Sequence, residues 1–202
     1  MNNRTSITIP ETVKSIDLYA FSKTKIETLI IPDSVETIGI YAFYQSQLLK
    51  SIYIGKGVTK MEANPFYYCS TLENVTIHPE NNYFKVENKV IYDVQKKFLI
   101  TYMMTKQDEE YTVNNGTITI GYYAFYRNSY IKRINVPASV TILEPHAFGI
   151  CSSLQTVNYY GTKNAECSDN ILSNSPTTVV INVPSGYEDN NFCGITNIQK
   201  TL

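Results

Sequence analysis

The side chains that could catalyse a reaction or bind a metal are few and widely spaced in this sequence. There are two histidines, His78 and His146, and four cysteines, without a C-x-x-C or C-x-x-H spacing. A zinc site needs such paired ligands, and no nucleophile, phosphate-loop or zinc-protease motif occurs. The acidic run 108–110 has no EF-hand spacing and is predicted to be a solvated loop, not a calcium site. The sequence therefore predicts no catalytic residue, no metal, no cofactor and no enzymatic activity.

The cysteines fall into two pairs with different expected roles. Cys69 and Cys151 each follow a repeated phenylalanine by three residues, in a turn where a buried thiol can bond to the backbone. Cys167 and Cys193 lie near the C-terminus and are candidates for a disulfide, provided that the chain is extracellular.

Three N-x-T sequons make Asn3, Asn74 and Asn115 candidate glycosylation sites. Such triplets also arise by chance in chains rich in Asn and Thr. Asn74 comes just before a predicted strand, and a glycan there would cover the outer face of the predicted sheet.

A repeat of 22 or 23 residues positions these side chains. Phe21 and Phe43 are 22 residues apart, Phe43 and Phe66 are 23 apart, and Phe125 and Phe148 are again 23 apart. Columns of proline, valine and isoleucine recur at fixed distances before these phenylalanines. A period of this length is typical of a solenoid, in which each coil covers the apolar face of its neighbour.

Each coil begins with a short alternating triplet that predicts a strand. The triplets are 7–9, 29–31, 52–54, 75–77, 111–113, 134–136 and 157–159. Their outer side chains should point into the coil and the middle one outward, so that seven strands form one outward face. The candidate binding residues on this face are Ile30, Tyr53, Thr76, Glu110, Thr112, Arg133 and Asn135. A second interpretation is that Ile30 and Tyr53 merely pack against each other across neighbouring strands.

The repeat resembles the BspA-like leucine-rich repeat family, whose consensus is close to IP-x-S-V-x-x-I-G-x-x-A-F-x-x-C-x-x-L. The matching residues are Pro32, Ser34, Val35, Ile38, Gly39, Ala42, Phe43 and Leu49, and then Pro137, Ser139, Val140, Ala147, Phe148, Cys151 and Leu154. The resemblance implies a leucine-rich-repeat solenoid, a right-handed α/β-type superhelix of mostly short parallel strands with turns and little helix. It also implies an adhesin-like surface or secreted protein, since members from mucosal bacteria and parasitic protists are described in that way.

One continuous period predicts a single domain, 1–202. The repeats are expected at about 7–28, 29–51, 52–74, 75–110, 111–133 and 134–156, with a C-terminal repeat and cap at 157–202. The repeat at 75–110 is irregular, and a β-hairpin insert is predicted at 88–102, with strands 90–92 and 98–100 around a polar turn. Most of the seventeen tyrosines flank the phenylalanines, and their rings are predicted to stack as a structural ladder at about 5–7 Å.

Composition restricts the partners and the location. The net charge is −1 and no basic patch is present, so nucleic acid is not expected as a partner. No apolar run approaches the roughly 20 residues that span a bilayer. The first 15 residues contain no signal peptide, so the chain is expected to be either a mature fragment or a cytoplasmic protein. The first coil lacks a polar cap, and its edge is expected to be covered by its own tail, by a partner or by self-association.

The sequence favours a non-catalytic interaction module, adhesin-like by resemblance, that binds a protein or glycan through the sheet face. The alternative is an intracellular structural or scaffold protein packed within a larger assembly. The missing signal peptide and the turn thiols favour the alternative, whereas the family resemblance and the sequons favour the adhesin.

Overall fold

A computed structural model describes residues 6–167 and 170–202 of the chain. Within these ranges it has eighteen short strands and no helix, which confirms the predicted solenoid of short parallel strands and turns. The chain divides into a first unit, Met1–Val94 with Ile100–Thr105, and a second unit, Gln95–Leu99 with Lys106–Leu202. The single domain 1–202 stays a prediction.

The first unit has two rows of parallel strands. One row contains β1 (Ser6–Thr8), β3 (Thr28–Ile31), β5 (Ser51–Ile54) and β7 (Asn74–Ile77). The other contains β2 (Ser15–Ile16), β4 (Thr37–Ile38) and β6 (Lys60–Met61). Each of the first three coils thus contributes one strand to each row, and β7 belongs to a fourth coil that adds a strand to the first row alone.

Side chains along these strands alternate as a period of two predicts. Leu29 and Ile31 are buried, whereas Ile30 between them is 66% exposed. Ile52 and Ile54 repeat the buried positions in the next coil. Each such side chain removed from water stabilises the fold by roughly 1.5–3 kcal/mol.

The phenylalanines form a continuous stack in the interior of the first unit. The Phe43 ring centroid lies 5.6 Å from that of Phe21 and 5.3 Å from that of Phe66. The turn that carries Phe43 has left-handed residues on both sides, Tyr41 and Gln45, each with φ of 54°. This conformation costs a side chain with a Cβ roughly 1–2 kcal/mol, so the ring stack and the hydrogen bonds between coils must hold the turn. The sequence pattern did not predict it.

In four turns, a hydroxyl or thiol side chain donates to the backbone carbonyl of the phenylalanine one coil earlier. Ser46 Oγ and Cys69 Sγ donate over 2.6 and 3.0 Å in the first unit. Cys151 Sγ and Ser175 Oγ donate over 3.1 and 2.7 Å in the second. The prediction that Cys69 and Cys151 are buried free thiols bonded to the backbone is confirmed.

The insert begins with a hairpin that the sequence did not predict. Strands β8 (Phe84–Glu87) and β9 (Val90–Asp93) pair antiparallel around Asn88 and Lys89, both of which have positive φ, as a two-residue turn requires. The predicted strands 90–92 and 98–100 are present as β9 and β10 (Phe98–Tyr102). The additional strand β8 was missed because the apolar–polar alternation of its residues, FKVE, extends over four residues, the shortest run that indicates a strand.

The second unit again has two parallel rows. One contains β11 (Glu110–Thr112), β13 (Arg133–Val136), β15 (Thr156–Tyr159), β17 (Val180–Val183) and β18 (Ile198–Lys200). In the other, the first residues of β10 pair with β12 (Thr119–Ile120), followed by β14 (Ile142–Leu143) and β16 (Glu166–Cys167). The expectation of one face of seven strands is wrong, since the described strands place the triplets in two separate sheets.

The C-terminal segment packs two aromatic side chains against Tyr159 of β15, and its role as a cap stays a prediction. The Phe192 ring lies 4.6 Å from the Tyr159 ring, and Tyr187 meets the same ring edge-on at 6.3 Å. Both Tyr187 and Phe192 are buried. Strand β18, parallel to β17, completes the sheet and was not predicted.

Candidate binding faces

The outer face of the first sheet brings three of the predicted site residues together. Parallel pairing aligns Thr8, Ile30, Tyr53 and Thr76 in one row across β1, β3, β5 and β7. Ile30 is the most exposed large apolar residue among those described. We call this row the outer row. It combines one aliphatic and one aromatic side chain with two threonine hydroxyls.

A groove of about 300 Å³ lies beside Ile30. Its lining consists of Ile7, Thr8, Ile9, Glu11, Thr28, Ile30 and Pro32. The groove is mainly apolar with hydroxyl groups and one carboxylate, so it can accept an apolar side chain whose neighbours form hydrogen bonds.

The other end of the outer row leads to a histidine and an exposed ion pair. The Tyr53 ring meets His78 edge-on at 6.3 Å, and His78 Nδ1 accepts the Glu80 backbone N–H at 3.0 Å. Lys56 Nζ lies 3.0 Å from Glu80 Oε2. The hydrogen bond from Lys56 lowers the pKa of Glu80 and, in turn, raises the pKa of Lys56.

The outer face of the second sheet brings the other four predicted site residues together, but in a different way. Arg133 Nη1 donates to Glu110 Oε2 over 3.1 Å, and Asn135 Nδ2 donates to Glu110 Oε1 over 2.8 Å and to Thr112 Oγ1 over 3.0 Å. These groups are therefore already bonded to one another. Asn135 lies in the predicted outward column but is only 8% exposed, because its neighbours cover it.

An asparagine ladder continues from this cluster and was missed. Asn158 Nδ2 donates to Asn135 Oδ1 over 2.7 Å, and Asn182 Nδ2 donates to Asn158 Oδ1 over 2.9 Å. The three residues occupy the same outward column of β13, β15 and β17. The recurrence of Asn in the middle of successive triplets was the signal that could have found it.

The acidic run 108–110 is exposed, as predicted, and its carboxylates pair with neighbouring cations. Asp108 Oδ2 lies 2.6 Å from Lys106 Nζ, and Glu109 Oε1 lies 2.7 Å from Lys132 Nζ. The Lys106 side chain is only 2% exposed, and its ammonium lies 5.7 Å from the centre of the Tyr111 ring. With Glu110 bound to Arg133, each carboxylate of the run has a cationic partner.

The flanking tyrosines stack within each unit as predicted. Tyr41 lies 5.6 Å from Tyr19 and 5.2 Å from Tyr67 in the first unit. In the second, Tyr123 stacks on His146 at 4.9 Å. His146 Nδ1 also lies 2.7 Å from Ser173 Oγ, a pair that the sequence did not predict.

The remaining candidate sites lie at the start of β7, on a turn of the second unit and near the end of that unit. Asn74 and Asn115 are exposed, and Asn3 lies outside the described residues. Cys167 and Cys193 have their Cα atoms 5.4 Å apart and their sulfurs at bonding distance, a separation that suits a disulfide. Burial raises the pKa of both Cys69 and Cys151 to about 12, so neither thiol is a ready nucleophile.

Over the described ranges, no cluster of three or more potential metal ligands is present, and no helix is long and apolar enough to cross a membrane.

In each unit, short parallel strands alternate with phenylalanine-bearing turns, and this defines a leucine-rich-repeat solenoid. The family model described as the BspA type leucine rich repeat region matches residues 1–97 and 101–200, with six copies of the repeat. The chain belongs to the BspA-type leucine-rich-repeat family, a family of protein-interaction modules.

Solved structures of bacterial proteins share this fold. A leucine rich cell surface protein from Faecalibacterium prausnitzii has 24% identity and a TM-score of 0.69, with 90% of this chain and 54% of that one covered. A leucine-rich repeat protein from Eubacterium ventriosum has 18% identity and a TM-score of 0.55, with 89% of this chain and 66% of that one covered. The pneumococcal vaccine antigen PcpA has 19% identity and a TM-score of 0.54, with 87% of this chain and 67% of that one covered. This chain thus spans 54% of the Faecalibacterium protein's length, and no curated protein matches it.

Proposed function

We propose that the chain is a non-catalytic module that binds a protein partner through the outer row of the first unit. The supporting observation is the alignment of Ile30, which is 66% exposed, with Tyr53 on the next strand, beside a groove of about 300 Å³. Tyrosine is among the residues enriched at binding hot spots. Burying Ile30 against a partner would contribute roughly 1.5–3 kcal/mol, and the surrounding hydroxyls supply a polar rim.

The setting that we propose for this module is a bacterial cell surface, where it acts as an adhesin. The Faecalibacterium relative is described as a cell surface protein and PcpA as a vaccine antigen, which supports an outward-facing role. Exposed Asn74 and Asn115 and the adjacent Cys167 and Cys193 are compatible with that location.

The second candidate function is a scaffold part that packs edge to edge in an assembly. It is favoured by apolar side chains that the described part of the first coil exposes, Ile7 at 42% and Leu18 at 55%. Leu29, which corresponds to Ile7 in the next coil, is buried. Light scattering after size exclusion separates the two candidates, because a scaffold part should associate at its first coil and an isolated adhesin module should remain monomeric.

Binding of the fluorescently labelled chain to intact mucosal epithelial cells tests the proposal. The variant with Ile30→Ser and Tyr53→Ala should bind about tenfold more weakly or worse. Lys25→Ala, which changes an exposed residue of the same unit away from the outer row, is the matched control. Equal binding by all three proteins would overturn the assignment of the outer row.

A further inference from the structure

Strand β7 has one edge that no other strand covers within the described first unit. The backbone N–H groups of Asn74 and His78 donate toward the neighbouring coil over 3.0 and 2.8 Å. Because parallel pairing engages alternate residues on one side, the N–H and C=O groups of Val75 and Ile77 face the opposite side. Strand order places β7 last in its row among the described strands.

Strand β8 is likewise last in its sheet among the described strands, so one of its edges has no partner strand there. Its hairpin with β9 is closed by the two-residue turn, and Val94 N donates to Tyr83 O over 2.7 Å. Antiparallel alternation then directs the backbone groups of Phe84 and Val86 away from β9. The Phe84 N–H bonds to Asn81 Oδ1 at 2.9 Å, which leaves the Phe84 carbonyl and both Val86 groups along the open edge.

The two open edges border the same groove, which has a volume of about 330 Å³. Its lining includes residues 75–77 of β7, His78 directly after that strand, and residues 84–87 of β8. Ile77 is half-buried there, whereas Ile31 and Ile54 in the same column of earlier coils are fully buried. The groove therefore occupies the position where a further parallel strand would pair with β7 and cover Ile77.

The charge of the groove indicates what such a strand should carry. The exposed Lys85 and Glu87 both line the groove. Glu87 already has an interaction partner, whereas Lys85 takes part in none of the ion pairs of the described residues. We propose that the groove binds an extended segment of a partner protein as an added strand. The segment bonds to the Val75 and Ile77 backbone, covers Ile77 and Val86 with apolar side chains, and places a carboxylate near Lys85. This site uses a strand edge and does not depend on the outer row.

A synthetic peptide tests the charge requirement by fluorescence polarisation. The probe is a fluorescein-labelled eight-residue peptide that alternates isoleucine or valine with glutamate, and its counterpart carries lysine in place of glutamate. The glutamate peptide should bind the full chain, and Lys85→Glu should weaken this binding about tenfold while strengthening that of the lysine peptide. Lys25→Glu, an equal charge change elsewhere in the first unit, should have no effect.

A second variant tests the backbone requirement. Ile77→Pro removes the N–H that faces the groove, at a position where an edge strand tolerates proline, and should abolish peptide binding while the circular dichroism spectrum is retained. In the unmodified chain, bound peptide should slow hydrogen exchange of the Val75 and Ile77 amides. Binding that survives both Lys85→Glu and Ile77→Pro, or slowed exchange only at β1, would overturn the proposal. Loss of peptide binding in Ile30→Ser with full binding in Lys85→Glu would also overturn it, by placing the peptide on the outer row.

Discussion

The outer faces of the two sheets occupy equivalent positions of the same repeat, yet their polar groups are used differently. In the second unit, Glu110, Arg133 and Asn135 are bonded to one another, and the ladder extends to Asn158 and Asn182. In the first unit, the column equivalent to Asn135 and Asn158 holds Ile30 and Tyr53, which form no such network. The second face bonds most of its polar side chains to one another, whereas the first face leaves apolar surface for a partner.

The difference shows why residue type alone does not identify a binding face. Glu110 and Arg133 are charged and half exposed, yet their hydrogen-bonding capacity is largely used within the sheet. A partner would have to replace those bonds, with little net gain. The Ile30 side chain makes no hydrogen bond, so the free energy of burying it against a partner is not offset by the loss of such a bond. We therefore expect mutations on the second face to change stability and mutations on the first to change binding.

The largest effect should come from the interior and not from either face. Phe43→Ala removes a ring held between Phe21 and Phe66 and should destabilise the chain by about 3–5 kcal/mol. Tyr53→Ala should cost less than about 1 kcal/mol, since its ring lies on the outer face. Urea unfolding followed by circular dichroism measures both values. Equal losses would contradict the assignment of interior and face.

The asparagine ladder offers the sharpest contrast between the two faces. Asn158→Ala removes two hydrogen bonds and leaves partners on both neighbouring strands, so we expect a loss of about 2–3 kcal/mol. Ile30→Ser, on the equivalent column of the first unit, should change stability by less than about 0.5 kcal/mol. Thermal unfolding of the two variants gives the comparison. An Asn158→Ala protein as stable as the unmodified chain would mean that the ladder is incidental.

The buried thiols Cys69 and Cys151 test whether equivalent turns in the two units contribute equally to stability, although the outer faces of the units differ. Cys69→Ala and Cys151→Ala each leave a phenylalanine carbonyl without its donor and should cost about 1–2 kcal/mol. Cys69→Ser should cost less, because Ser46 and Ser175 make the same bond in other coils. Unequal costs for the two alanine variants, measured by urea unfolding, would show that the column is not equivalent in the two units.

The pH dependence of the same thiols has a definite sign. Burial raises the pKa of both to about 12, so the folded chain keeps each thiol protonated at a pH where the unfolded chain begins to ionise. Their contribution to stability is complete below the ordinary thiol pKa and is lost as pH rises toward 12. The Cys69→Ser, Cys151→Ser double variant should therefore lose less stability between pH 9 and pH 11 than the unmodified chain does.

The repeat period predicted the coils because the phenylalanine, proline and isoleucine columns repeat whenever a coil must cover its neighbour. It also predicted which side of each strand faces outward, as Ile30 between buried Leu29 and Ile31 illustrates. Local pattern could not predict β8, whose pairing with β9 depends on a turn of two left-handed residues. It also could not predict that Asn135 is satisfied by Glu110 and Thr112, since hydrogen-bond partners 23 and 25 residues away follow from packing and not from sequence neighbours.

The smallest expected effect concerns the ion pair that most resembles a binding hot spot. Arg133 and Glu110 are each 51% exposed, and exposed pairs contribute only about 0–1 kcal/mol because water and salt screen them. Arg133→Met should therefore cost less than about 1 kcal/mol at low salt and almost nothing in 1 M sodium chloride. It should leave cell binding unchanged, because the binding surface proposed above lies on the first unit. Arg133→Met could instead reduce cell binding as strongly as Ile30→Ser combined with Tyr53→Ala. Arg133 would then contact the partner despite its bond to Glu110, and the contrast between the two faces would be wrong.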